Sequence, residues 1–405
     1  MTLDLTKIAS QIADMVIKVK SGSKECDQHL QCALDKMCDK DADIEGLIQK
    51  ISSGKGKITF PVAGLTEKMD FRYPSPDIPE EYVTIATDGS HIDLDRNKSV
   101  RCFVINIGSV LLKYGAQPEA FLESVPRLYC DEDDLVIKDE TEESNKYNID
   151  STLLGIKRGV EECKGLAEMA SALPPGSNAV ALLDGTLVLW NLGSDAYPGF
   201  VTETLLHREY LTYFDEIRKL NDTRNVGMAS YISLPRSAEV VNALRIAICP
   251  QKIPNCSQCP VSDGKHACDI VSGVQDYMLF SELLKVGERS ALFYSQSKVV
   301  NDHYGEHTVY YFYLRVNDEV ARVEIPAWVA KDKGGKLLEL THALVLDQCR
   351  RGHGYPVVLS EAHEKAVVTG ADREEFWKLV EEELEGEKIL TFNSIKSRSK
   401  RTRWI

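Results

Sequence analysis

Two short stretches set an acid beside a glycine and a hydroxyl residue: Thr87-Asp88-Gly89-Ser90 and Leu183-Asp184-Gly185-Thr186. Each follows an apolar run, Tyr82–Ala86 in the first case and Ala179–Leu183 in the second, of the kind that forms a buried strand. The expected arrangement is a strand that ends on its carboxylate, with Gly89 or Gly185 turning the chain at the rim of a sheet. If the strands are neighbours the carboxylates converge, and two ionised acids at close range need a cation or a shared proton. A divalent metal is the simpler answer; the alternative is that each aspartate only initiates a turn.

A third acid belongs with them. The segment from Asp150 to about Leu173 reads as a helix, with Asp150 as its N-cap and Pro174-Pro175-Gly176 as its stop. Its apolar arc holds Ile156, Val160, Cys163, Leu166, Met169, Ala170 and Leu173. Of Glu161, Glu162 and Glu168, Glu162 falls at the edge of that arc, so it is the acid expected to reach a site between the two aspartates; Glu161 stays open as the alternative. Lys298, after Ser297, is a candidate to hold a phosphate.

A separate constellation is built of thiols. Cys249, Cys256, Cys259 and Cys268 follow C-x6-C-x2-C-x8-C, with Pro250 and Pro260 fixing the backbone just after two of them. The spacing resembles the iron–sulfur loop of endonuclease-III-like DNA glycosylases, with a longer last gap, and four thiolates equally hold Zn2+. A [4Fe–4S] cluster and a zinc ion both remain open, and His266 can replace one cysteine. Either metal would staple a surface loop rather than form a catalytic centre.

The elements that must position these groups fit a chain of 405 residues, long enough for one large α/β domain with appendages or for two domains. Residues 1–58 read as an N-terminal helical arm of two helices, broken at Ser21-Gly22-Ser23, with Cys26, Cys32 and Cys38 as packing thiols. A Pro-bearing connector leads to a main domain over 78–390, into which the cysteine loop 249–268 is inserted. There, Arg101–Tyr114 pairs back on the first strand as an antiparallel meander, and 131–148 reads as an acidic loop. A helix over 202–221, a strand over 227–233, a helix over 237–248, a hairpin around Asn317-Asp318, and helices over 337–351, after Gly354 and over 373–384 complete the domain. This mixed sheet flanked by helices resembles the ribonuclease-H-like architecture, in which acids on the first and fourth strands and on the intervening helix share divalent metals.

Bulk properties narrow the classes. The formal charge of −14 argues against indiscriminate coating of nucleic acid, while leaving room for a local basic groove. The basic tail 391–405 reads as a solubilising terminus. No apolar run approaches bilayer length, and Met1-Thr2-Leu3-Asp4 lacks the design of a secretion signal, so a cytoplasmic protein with eleven reduced cysteines and no membrane contact is expected.

Taken together, Thr87-Asp88-Gly89-Ser90, Leu183-Asp184-Gly185-Thr186-Leu187, Ser297-Lys298, the Tyr310-Tyr311-Phe312-Tyr313 strand, and Gly354-Tyr355-Pro356 followed by Ala362-His363 resemble the NurA family of DNA-end-processing nucleases, over about residues 82–384. The resemblance implies a ribonuclease-H-like core, Mn2+ (or Mg2+) at the active site, and cleavage of DNA of the single-strand endonuclease or 5′-to-3′ exonuclease type in double-strand-break repair. It also implies a homodimer and a HerA-type hexameric ATPase as partner. Residue by residue it marks Asp88, Asp184 and His363 as metal-site positions, Glu162 as the helix acid and Tyr355 as the tyrosine eight residues before the histidine. The cysteine loop is not a general feature of that family. Two rivals stand beside this reading: a non-enzymatic, metal-stapled DNA-binding or scaffold protein, and an actin-like phosphotransferase, whose phosphate-cradling turns want more glycines than these have.

Overall fold

The computed structural model describes residues 5–389 apart from 96, 97, 99, 143, 194, 195, 263 and 318. The basic tail and Asp318 of the expected hairpin turn therefore lie outside the described residues. Among the described residues no helix is long and apolar enough to cross a membrane.

The chain divides into two compact units, and the division does not follow the expected boundaries at 58 and 78. One unit joins Met1–Ser75 to Ile232–Ser297 and Tyr310–Val323; the other comprises Pro76–Tyr231, Lys298–Val309 and Glu324–Ile405. The N-terminal arm is not a free appendage, because Ala33, Met37, Leu47 and Ile51 bury their side chains in one core with Val240, Leu244, Phe280 and Tyr313. Its first helix runs unbroken from Thr6 to Met37, so Ser21-Gly22-Ser23 does not interrupt it. A glycine inside a helix costs only about 1 kcal/mol relative to alanine, which hydrogen bonds on both sides offset. A second helix, Ile44–Ser53, is capped by Asp43, whose side chain accepts from Gly46 N.

The unit that carries the acids is built on a mixed sheet. Its strands are β1 (Tyr82–Ile92), β2 (Phe103–Tyr114), β3 (Glu119–Tyr129), β4 (Asn178–Asp184) and β5 (Asn225–Ile232), in the spatial order β3-β2-β1-β4-β5. β1 pairs antiparallel with β2 and β2 with β3, whereas β4 runs parallel to both β1 and β5. Helix α1 (Ser151–Ser171) makes the crossover between β3 and β4. Asp150 caps it by accepting from Leu153 N at 2.8 Å, and Leu153, Leu154, Val160, Cys163, Leu166 and Ala170 are buried in the same core as the sheet.

The first Asp-Gly differs from its expectation. β1 does not end on Asp88 but continues to Ile92, with Asp88 opposite Gly108 and Gly89 opposite Ile107. Eleven successive pairings with β2 outweigh the local turn chemistry of Asp-Gly-Ser. Gly89 serves close approach instead: a Cβ there would lie 2.6 Å from Glu162 Oε1 and 2.8 Å from Arg158 Cγ, both carried by α1. The second Asp-Gly does end its strand, and Gly185 takes φ +83°.

Because successive side chains on a strand alternate between faces, Asp88 points away from the α1 side that Gly89 lines. It faces α3 (Val357–Ala366), which follows α2 (Lys336–Arg351). α3 lies directly on β2 at Gly108, where a Cβ would come within 2.2 Å of Ala362 O and 2.6 Å of Ala366 N. Asn106 Nδ2 fastens the end of α3 by donating to Ala366 O at 2.9 Å. Two further segments also differ from expectation. Val136–Lys138 and Lys146–Asn148 pair within the acidic stretch read as loop, and the helical run Gly199–Leu220 contains a π-helical segment, Glu203–Tyr210.

Gly108→Ala is expected to lower stability by about 1–3 kcal/mol, since the methyl group meets helix backbone that cannot rotate away. Gly155→Ala, in open space on α1, is the control. Urea denaturation of both variants checks this, and a Gly108→Ala protein as stable as the control contradicts the packing of α3 on β2.

Candidate active site

The parallel pairing of β1 and β4 sets Thr87 beside Leu183, so the next residues, Asp88 and Asp184, stand side by side. Asp88 Oδ1 accepts from Gly89 N at 2.8 Å, and Oδ2 lies 2.8 Å from His363 Nδ1 on α3. The histidine side chain is 64% exposed and the aspartate 20%, so this pair opens towards solvent on the imidazole side.

Asp184 Oδ1 accepts from the Tyr355 hydroxyl at 2.9 Å. Tyr355 sits in the turn between α2 and α3, where His353 has φ +57° and Gly354 φ +122°. Gly352 has no room for a side chain, since a Cβ would sit 1.9 Å from Tyr355 O. The Tyr355 ring meets Tyr231 of β5 edge-on at 5.4 Å. On the far side of Asp184, the buried Glu324 carboxylate accepts from Thr186 Oγ1 at 2.8 Å and Leu187 N at 2.9 Å, which pins the turn that follows the acid.

Glu162 comes from α1, whose backbone is tied to β1 by Thr87 Oγ1 donating to Glu162 O at 2.8 Å. Its side chain is 14% exposed, and its Oε1 forms an ion pair with Arg158 Nε at 3.0 Å. Burial pushes the Glu162 carboxyl up to about 8; Arg158 opposes the shift, and the charges of Asp88 and Asp184 add to it. Burial also raises Asp184, against the Tyr355 hydrogen bond that lowers it, and the Asp88 charge adds. Burial first, then Asp184, raises the Tyr355 hydroxyl, which stays a proton donor across neutral pH. Glu161 is turned elsewhere, towards Lys157 at 3.8 Å, and Glu168 is exposed.

The structure thus brings together Asp88, Glu162, Asp184, Tyr355 and His363 and leaves out Lys298. That lysine opens the helix Lys298–His303 and lines a different cavity of about 370 Å3 with Tyr197, His207, Asp302 and His303. Among the described residues no hydrogen bond or ion pair joins it to the acids. Arg158 and Glu324 were not singled out from sequence. Arg158 is marked only by its i,i+4 spacing to Glu162, and Glu324 only by being a charge inside an apolar strand.

The donor set of three carboxylates and an imidazole suits a hard divalent ion. Among the described residues, however, no group of three or more His, Cys, Asp or Glu side chains stands arranged to hold a metal ion. Each acid has another partner instead: Asp88 has His363, Asp184 has Tyr355, and Glu162 has Arg158.

Comparison with protein-family profiles matches residues 82–368 to the NurA domain. The chain belongs to the NurA family. NurA-domain proteins are nucleases of DNA-end processing and are generally metal-dependent. The matched span begins at β1 and ends just after α3, so it includes every residue of the acidic cluster. No curated protein matches the chain. Among solved structures, Kluyveromyces polysporus Argonaute with a guide RNA is similar at 11% identity and a TM-score of 0.23, covering 70% of this chain and 27% of that one. At that score the likeness carries no argument.

The raised Glu162 predicts a pH signature in EDTA. The folded state keeps a proton up to about pH 8 that the unfolded chain, with the ordinary value of 4.5, has already released. Stability should therefore fall as pH rises through that window, and Glu162→Gln should flatten the fall. Thermal unfolding in steps from pH 5 to pH 8 checks this, and equal slopes for both proteins contradict it.

Proposed function

We propose that this NurA nuclease is a Mn2+-dependent deoxyribonuclease, with Mg2+ as the weaker alternative, whose ligands are Asp88, Glu162, Asp184 and His363. The observation that carries the reading is the parallel pairing that sets Asp88 beside Asp184, with the buried Glu162 near enough for both aspartate charges to add to the rise of its carboxyl. When bound, divalent ions polarise the scissile phosphate and lower the pKa of an attacking water. An imidazole beside the carboxylates favours manganese.

The protein's own groups prepare that chemistry. Tyr355, donating to Asp184 Oδ1, sets the rotation of that carboxylate; His363 Nδ1 sets that of Asp88. Arg158 holds the Glu162 carboxyl in place, and that contact would have to part for the glutamate to serve as a ligand. Lys298 has no assigned part at this cluster.

The strand order β3-β2-β1-β4-β5, antiparallel in its first three members and parallel in the rest, supports a ribonuclease-H-like core with acids on the first strand, the fourth strand and the crossover helix. In line with the family resemblance, the substrate is a DNA end cut by single-strand endonuclease or 5′-to-3′ exonuclease action in double-strand-break repair, and the working form is a homodimer acting with a HerA-type hexameric ATPase.

Labelled single-stranded DNA incubated with Mn2+, Mg2+ or EDTA tests the reading. Wild type should cut with Mn2+. Asp88→Asn and Asp184→Asn should lose at least ~100-fold, more than the 10–100-fold expected for an outer partner such as Tyr355→Phe, while DNA binding persists. Undiminished cutting by either aspartate variant, or binding without cutting by wild type under every metal, would move the scaffold reading to the front.

A further inference from the structure

The four-cysteine loop belongs to the other compact unit, so its role is independent of the nuclease reading. Cys249 caps the helix Glu239–Ile248, its N–H donating to Arg245 O at 3.0 Å. Cys256 opens a single turn, Cys256–Gln258, and Asn255 N donates to Gln251 Oε1 at 2.8 Å to close that half of the loop. Between Cys259 and Cys268 the chain doubles back: Ser262 and Lys265 exchange backbone hydrogen bonds of 3.0 Å in each direction, with Gly264 at φ +77°. Cys268 returns on the short turn Ala267–Val271, with its Sγ 3.8 Å from Arg245 Nη2. Burial first, then the nearby Cys249, Cys268 and Cys256 thiols, raise the Cys259 thiol, so the fold brings these side chains near it although eighteen residues lie between the first cysteine and the last.

The loop has almost no core of its own. Over residues 250–265 Pro254 is the one buried position among the described residues, and the turn Cys256–Gln258 buries nothing. A segment of this kind needs a staple to hold one conformation. It is nevertheless the surface on which the N-terminal arm is fastened. Lys50 Nζ donates to Cys249 O, and Cys256 N donates to Lys57 O at 3.0 Å. His29 Nδ1 lies 2.7 Å from Ser272 O, just beyond the last cysteine, and Lys265 pairs with Glu25 at 3.9 Å. At Gly54 a Cβ would come within 3.2 Å of the Pro254 side chain.

We propose that Cys249, Cys256, Cys259 and Cys268 hold a thiolate-bound metal centre, a [4Fe–4S] cluster or a single Zn2+, that acts as the clasp fixing the N-terminal helical arm to the helix Glu239–Ile248. Among the described residues the four thiols are not arranged to hold a metal ion, so loading requires the loop to draw them together. Metal binding and arm docking are then one linked equilibrium, because Cys249 O, which accepts from Lys50, and Cys256 N, which donates to Lys57 O, belong to two ligand residues.

The test uses the full chain, purified without oxygen. Iron, acid-labile sulfide and zinc are counted per chain, and amide hydrogen exchange is followed over residues 44–58 with and without metal. The expected result is a stoichiometric cluster or one zinc ion, with the two species told apart by sulfide content and visible absorbance. Removal of the metal, or Cys256→Ser with Cys259→Ser, should speed exchange over 44–58 by at least tenfold while exchange around Asp88 and Asp184 is unchanged. Lys50→Ala keeps the test open should the cysteine variants misfold: it should retain the metal and still loosen the arm. A wild-type chain that holds no iron or zinc even after reconstitution, or an arm whose exchange ignores the metal and Lys50→Ala alike, overturns the proposal.

Discussion

Three carboxylates at the end of a parallel strand pair repel one another, and much of the surrounding structure serves to keep them there. The repulsion is visible in the raised Glu162 and Asp184, each of which carries an added contribution from Asp88. Arg158, His363 and Tyr355 each hold one acid in place and offset part of that cost. A cation drawn in among the acids would offset that repulsion, in keeping with a family whose nucleases are generally metal-dependent.

Close approach of backbone to backbone makes this convergence geometrically attainable. α1 lays Glu162 against β1 next to Asp88 because Gly89 leaves the space for it, and α3 brings His363 to Asp88 because Gly108 lets the helix lie against the sheet. The same acid-bearing strand is thus approached from both faces through two glycines, one on β1 and one on β2. Gly352 does the equivalent work in the turn that aims Tyr355.

How much of this could be read from sequence depended on whether the signal was local. Asp184-Gly185 was legible, since a strand end and a positive-φ glycine are both encoded within a few residues. Asp88-Gly89 carries the same letters but a different structure, because pairing with β2 through Ile92 overrides the turn. The apolar arc of α1 favoured Glu162 and left Glu161 open, and in the structure the two turn to different partners, Arg158 and Lys157. Lys298 was placed by its neighbours in the chain, and nothing local encodes the distance between its helix and the acids. The sharing of the arm's core with residues 232–297 was illegible for the same reason, as it depends on contacts between segments far apart in sequence.

Whether Asp88, Glu162 and Asp184 are joint ligands of one metal site is addressed most directly by anomalous diffraction from a crystal soaked in Mn2+. Joint ligation predicts a manganese peak within ligating distance of all three carboxylates, with the Arg158–Glu162 pair parted. A peak elsewhere, or none, with Arg158 still 3.0 Å from Glu162 Oε1, would contradict it.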